Sequence, residues 1–326
     1  MRAAVITAYG GPENLVVDDV ERPTPRSGNV LVEVEAAGLN FWDIIERQGR
    51  LPDQPPPPTR AGVEGAGTVV AVAPGITEPA VGDRVMWAHI PGSHAQLVEV
   101  PAVETMPLPP WLSAVDAAAV CVQGLTAHYL ANSLRITAAG DSALVWAAAG
   151  GVGRLLTQML AAKGVRVVAA ISSEAKAEAA LAAGAERAVL YPEVKAVVDE
   201  LTGGAGVDVV FDGVGAPTFD TSLASVRRRG MLVVYGNAGG MLPPVDLRRF
   251  FTAGSVHFVR PGLAHFVASR EELLYRAKEL FSAIQRGEVT VRVDAKYPLS
   301  DICDAHQALE SRAIVGKVVL LPQQGG

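Results

Sequence analysis

The sharpest chemical signal in the chain is the run Ala147-Ala148-Ala149-Gly150-Gly151-Val152-Gly153. It follows the apolar stretch ALVW and precedes Leu155, Leu156, Met159 and Leu160 at helical spacing, closed by Gly164. Small residues let a backbone approach a pyrophosphate, and a helix opening here offers free N–H groups and the positive end of its dipole. Residues 148–153 fit A-x-G-x-x-G, a dinucleotide fingerprint in which Ala148 stands for the first glycine. A tight strand–helix turn without a ligand needs the same glycines. The strand before, the helix after and a second strand ending at Ile171 favour the dinucleotide. The cofactor candidates here are the backbones of Gly150, Gly151, Val152 and Gly153.

The second strand also bears on which nicotinamide cofactor is bound. A site for NAD places Asp or Glu at its end, to accept from the ribose 2′-hydroxyl. Here VRVVAAI ends in Ser172 and Ser173, with Lys176 just beyond. A carboxylate would repel a 2′-phosphate, whereas two hydroxyls and an ammonium can bind it. The expectation is NADPH.

The elements that must position these groups alternate in a way that divides the chain. Residues 1–124 read as β-rich: NVLVEVEAAG alternates apolar with acidic side chains, and GAGTVVAVAPG and GDRVMWAHI are short strands fenced by turn residues. Pro55 to Pro58 is an extended loop segment. From residue 125 to 262 the pattern becomes β/α, with further strands expected at AERAVLY, VDVVFDG, GMLVVYG and GSVHFVRP. Residues 263–326 add a helix with Ser269 as N-cap, a helix capped by Ser300 or Asp301, and a last strand, GKVVLLP. No repeat is present.

Bulk properties narrow the function classes. With 326 residues and 49% hydrophobic content, two cores are expected. A net charge of −6, with basic residues dispersed, offers no footprint for nucleic acid. Apolar stretches are broken well short of the roughly 20 residues that span a bilayer, and the N-terminus has no apolar signal core. Cys121 and Cys303 are too few and too far apart for a disulfide framework or a metal cluster, so a reducing cytoplasm is the expected location.

Taken together, AAGLNFWD, GVEGAGTVVAVAPG, GDRV, GLTAHYL, AAAGGVG, SSEAK, FDGVG, RRRGMLVVYGNAGG, VRPGL and GKVVLLP resemble, in order and spacing, the zinc-independent quinone oxidoreductase branch of the medium-chain dehydrogenase/reductase superfamily. The resemblance runs essentially end to end. It implies an α/β protein: a GroES-like β-rich catalytic domain built from both chain ends, plus a Rossmann domain with a doubly wound parallel sheet. It also implies an active site in the cleft between them, and a homodimer formed by pairing Rossmann edge strands through SVHFVRP. Zinc-dependent relatives place Cys before the position of Asn40 and His at that of Val63, and their structural zinc needs four clustered cysteines. None of these is present, so no metal site is expected.

The resemblance further implies roles for single residues. Asn40 lies near the nicotinamide ribose or carboxamide, and Thr126 near the phosphates or nicotinamide. Ser172, Lys176 and Tyr191 cradle the 2′-phosphate and adenosine, and Asn237 meets the nicotinamide half. Lys317 either reaches the pyrophosphate or is solvated. Asp43 is read as structural, capping locally or pairing with Arg47, while His89 and His94 are ordinary surface or pocket histidines. Many relatives carry tyrosines where this chain has Ile45 and Leu51, one of them proposed as a proton donor. With Trp42 and Trp87 added, the expected substrate pocket is apolar and aromatic, although tryptophans are equally ordinary core residues.

The chemistry expected is hydride transfer from NADPH to a planar conjugated acceptor, a quinone or enone. Water or the ribose hydroxyls would supply the proton, and no catalytic side chain is assigned. Two alternatives stand beside it: an enoyl or tailoring reductase, or a cyclase, of a biosynthetic pathway, and a non-catalytic NADPH-binding sensor.

Overall fold

The computed structural model describes residues 1–134, 137–311 and 314–324. In chain order the elements begin with β1 (Arg2–Ile6), β2 (Leu15–Asp19), β3 (Asn29–Leu39), α1 (Phe41–Arg47), β4 (Thr59–Arg60) and β5 (Glu64–Val72). β6 (Arg84–Ala88), β7 (Leu97–Pro101), β8 (Met106–Pro107) and α2 (Ala114–Asn132) follow. The alternating part comprises β9 (Ser142–Trp146), α3 (Gly151–Ala162), β10 (Arg166–Ile171), α4 (Ala177–Ala182), β11 (Arg187–Leu190), α5 (Val194–Thr202) and β12 (Val207–Asp212). It continues through α6 (Phe219–Ser225), β13 (Val226–Val234), α7 (Arg248–Thr252) and β14 (His257–Val259). The chain closes with α8 (Arg270–Gln285), β15 (Val293–Pro298), α9 (Ile302–Glu310) and β16 (Lys317–Leu321).

These elements form two compact units. The first takes residues 1–123, 267–281 and 291–326, and the second takes 124–266 and 282–290. Residues 282–290 lie within the stretch that the sequence assigns to the returning segment, yet they pack with the second unit. The cause is local: Gln158 on α3 accepts from the backbone and hydroxyl of Thr290, and Arg154 donates to the same residue.

In the first unit, β15-β16-β3-β5-β6-β8 run side by side, with β7 also paired to β3, and β2-β1-β4 make a smaller sheet. The strands of both chain ends meet where β16 lies antiparallel to β3, with Val318 opposite Leu39 and Leu320 opposite Ala37. Their inward side chains, Val32, Val34, Leu39, Val69, Val85, Val318 and Leu320 among them, make one core. The long β3 is buried along most of its length, with Val30, Val32, Val34, Ala37 and Leu39 packed into this core.

In the second unit the parallel sheet has the order β11-β10-β9-β12-β13-β14. The order reverses between β9 and β12, which makes a topological switch point at the carboxyl ends of those strands. All four strands expected after β10 are formed. At the chain's end, Ser269 caps α8 as expected, its hydroxyl accepting the Glu272 N–H at 3.2 Å. Asp301 stands at the N-cap of α9 but makes no capping bond, because its carboxylate accepts the Ser300 hydroxyl instead.

Candidate functional site

The fingerprint folds as a turn from β9 into α3. Ala147 turns left-handed with φ 52°, Gly150 is the N-cap, and α3 starts at Gly151. No side chain caps this helix, so the N–H groups of its first turn are left for another acceptor. A Cβ at Gly153 would stand 2.9 Å from Ala148 Cα and closer still to the Ala147 carbonyl oxygen. Glycine is therefore required there by the closeness of helix and strand, while Ala148 is buried without strain of this kind. An anionic pyrophosphate fits such an uncapped, glycine-lined helix start.

The other cofactor candidates of this unit sit past the carboxyl ends of neighbouring strands. Ser172 and Ser173 follow β10 and are exposed, and Lys176 Nζ donates to Ser172 Oγ at 3.0 Å. Glu174 lies exposed between them, a carboxylate that the sequence reading passes over. Tyr191 follows β11, half-buried, with its ring edge-on to Trp146 at 4.9 Å. Asn237 follows β13 and donates from Nδ2 to the Met241 sulfur. All five of these groups thus lie at the same carboxyl end of the sheet as the glycine turn. Thr126 stands apart from them in sequence, buried on α2.

In the first unit, Asn40 is the N-cap of α1, and its backbone N–H donates to Asp43 Oδ2 at 2.6 Å. Asp43 is thus a local cap, as expected, but it does not pair with Arg47. That guanidinium donates to Glu310 and to the Gly10 carbonyl, with His306 3.4 Å away. Burial, first, raises the Asp43 carboxyl, against the opposing pull of His94. One helical step on, burial and the nearby Asp43 push Glu46 up to about 7. Asp43 Oδ1 and Glu46 Oε2 are both buried without a hydrogen-bond partner.

Lys317 requires a correction. It is neither solvated nor extended toward a phosphate: only 2% exposed, it pairs with Glu64 at 2.5 Å and donates to Asn40 Oδ1 at 2.8 Å. Glu64 was missed, although an acid inside the apolar strand GVEGAGTVV is a visible irregularity. Gln123, whose amide donates to Asn40 Oδ1 at 3.4 Å, was missed too and carries no comparable mark.

The pocket candidates separate. Trp87 is 0% exposed in the first unit's core, its indole N–H donating to Ser93 Oγ at 2.9 Å, so it is a core residue and not a pocket wall. Trp42, by contrast, is 46% exposed on α1. Ile45 is buried on the same helix, and Leu51 is half-buried, its backbone N–H held by the Gln54 side chain. His94 is fully buried against the Gly38 carbonyl, whereas His89 is exposed in a left-handed turn. Among the described residues no three His, Cys, Asp or Glu side chains are grouped to hold a metal ion.

Comparison with known proteins gives a consistent outcome. The family model of an alcohol dehydrogenase GroES-like domain matches residues 26–110, and that of a zinc-binding dehydrogenase matches 151–275. The chain is 38% identical to a quinone oxidoreductase of Pseudomonas aeruginosa, over 97% of this chain and 98% of the relative. It is 36% identical to a 2-haloacrylate reductase of a Burkholderia species, over 98% of this chain and 99% of that one. The solved Escherichia coli quinone oxidoreductase in complex with NADPH superimposes with a TM-score of 0.96 at 36% identity, over 99% of this chain and all of that one.

Proposed function

Because this chain belongs to the zinc-independent quinone oxidoreductase branch of the medium-chain dehydrogenase/reductase superfamily, we propose that it uses NADPH to reduce planar conjugated acceptors, quinones first. The observation that carries the reading is the edge of the parallel sheet, where an uncapped glycine turn stands beside two serines and a lysine. The backbone N–H groups of Gly151, Val152 and Gly153 would hold the pyrophosphate. Ser172, Ser173 and Lys176 would hold the 2′-phosphate, Tyr191 the adenosine, and Asn237 and Thr126 the nicotinamide half. NADPH, when bound, supplies the hydride.

What the chain supplies is orientation and a dry, apolar surface. Trp42 and Leu51 offer area for a planar ring, and neither they nor the buried Ile45 carries a hydroxyl to protonate it. Reduction of an activated alkene is a second reading, supported by the likeness to a 2-haloacrylate reductase. A homodimer fits the exposed edge strand β14, which among the described residues has β13 as its one neighbour in the sheet. No helix among the described residues is long and apolar enough to cross a membrane, and the proposed location is the cytoplasm.

The test is steady-state NADPH oxidation against a panel of ortho- and para-quinones and small enones, before and after prolonged chelation. Turnover of quinones that survives chelation is expected. Rapid turnover of enones with none of any quinone would leave only the second reading.

A further inference from the structure

β12 ends on Asp212, a fully buried carboxylate whose hydrogen-bond partners are all donors. Oδ1 accepts the backbone N–H groups of Val214 at 2.8 Å and Gly215 at 3.0 Å. The Thr218 hydroxyl lies 2.9 Å from Oδ1 and 2.8 Å from Oδ2, and Ser222 Oγ donates to Oδ2 at 2.6 Å. No cation pairs with Asp212 among the described residues, so hydrogen bonds offset the cost of burying it. Past the strand end the ladder supplies no further acceptors, and a loop reading Gly213-Val214-Gly215 would be slack without one.

That loop is in turn joined to the one that follows β13. The Asp212 carbonyl accepts the Tyr235 N–H at 2.9 Å, the Gly213 carbonyl that of Ala238 at 3.3 Å, and the Val214 carbonyl that of Gly239 at 2.7 Å. Ala216 donates back to the Gly240 carbonyl at 3.1 Å, and Gly215 and Gly240 form a parallel bridge. A Cβ on Gly236 would stand 2.9 Å from Gly213 Cα and nearer still to the Gly213 carbonyl oxygen. Asn237 rides on this second loop, between Gly236 and Ala238.

We propose that Asp212 is a positioning residue: its carboxylate fixes the loop after β12, the paired backbones carry that order to the loop after β13, and Asn237 is thereby set for the nicotinamide half of NADPH. The inference rests on the reading of this end of the sheet as an NADPH site. Without the carboxylate, both loops would have to be ordered as the cofactor binds, and that entropy would be subtracted from the affinity. Bonds to a charged acceptor are the stronger kind, which suits a group that must hold a glycine-flanked turn in one conformation.

Isothermal titration calorimetry measures the affinity for NADPH and for 2′-phospho-ADP-ribose, a fragment without the nicotinamide, in the wild type and in variants. Asp212→Leu removes the acceptor. Gly236→Ala parts the two loops and leaves the carboxylate with its donors. Both are expected to weaken NADPH by about tenfold or more and the fragment by less than about twofold. Asp212→Asn keeps a carbonyl oxygen for Val214 and Gly215 and turns its NH2 group toward two hydroxyls that can accept, so most of the affinity is expected back. Thr218→Val/Ser222→Ala strips those hydroxyls but leaves both backbone bonds; it should lower Tm and keep NADPH affinity within about twofold. Thermal melts accompany each titration, and Gly236→Ala decides the matter if Asp212→Leu does not fold. Equal losses for NADPH and fragment, unchanged NADPH affinity in Gly236→Ala, no recovery in Asp212→Asn, or a loss in the hydroxyl variant as deep as in Asp212→Leu would overturn the proposal. A wild type that binds NADPH no more tightly than the fragment also overturns it and leaves the cofactor reading standing; one that binds neither overturns both.

Discussion

Lys176 is held 3.0 Å from Ser172 at the end of β10, so hydroxyl and ammonium are already gathered where a 2′-phosphate would bind. Lys176→Ala is expected to weaken NADPH by about tenfold, some 1.4 kcal/mol, and to leave NADH unchanged. Equal losses for both cofactors in fluorescence titration would contradict that placement. Glu46 gives a second prediction. Its carboxyl, pushed to about 7 by burial and by Asp43, holds its proton in the folded protein over a pH range in which the unfolded chain has released it. Stability from this group is therefore lost as pH rises from about 4.5 toward 7. His306, buried neutral with its basicity pushed down to about 2, acts oppositely but only below its ordinary value of 6.5. Relative to wild type, Glu46→Gln should gain about 1 kcal/mol between mildly acidic and mildly alkaline pH, a modest figure because water still reaches part of the side chain. Thermal melts across that range showing parallel curves would refute it.

The β9–α3 turn was legible because its requirements are local. Gly153 touches the backbone of Ala147 and Ala148, six and five positions back, and a strand and helix on either side announce the geometry. Gly153→Ala is expected to cost about 1–3 kcal/mol through overpacking, to lower Tm by several degrees and to weaken NADPH. Calorimetry giving a wild-type melt would mean that the turn is looser than described. The short α1 shows the opposite case. Its cap, Asp43, was readable three residues from Asn40, but Arg47 finds Glu310 across 263 positions and Lys317 finds Glu64 across 253. Spacing along the chain carries no information about such partners. Trp42 and Trp87 looked alike for a related reason. β6 is buried at four successive positions, so alternation could not tell which way Trp87 faces, and only the Ser93 hydroxyl settles its environment.

At the scale of the molecule, the order of strand and helix segments sufficed to expect one β-rich and one parallel-sheet unit. It did not suffice to see that residues 282–290 leave the former for the latter, because Gln158 and Arg154, which draw Thr290 there, are surface-type residues without a pattern. The free edge at β14 carries exposed Phe258, and Leu247 and Phe251 in the same unit are each 76% exposed. An unpaired edge with this much apolar surface is suited to a second copy. Phe258→Glu is expected to convert a dimer to a monomer in light scattering, and a wild type already monomeric at micromolar concentration would speak against the pairing. The central chemistry is the passage of hydride from NADPH to a planar acceptor. The most direct measurement is a single turnover: NADPH-loaded protein is mixed rapidly with phenanthrenequinone while the absorbance of the reduced nicotinamide is followed. The expected result is one full loss of that absorbance per site, slowed when the nicotinamide C4 carries deuterium. Absorbance that persists while the quinone is demonstrably bound would contradict it.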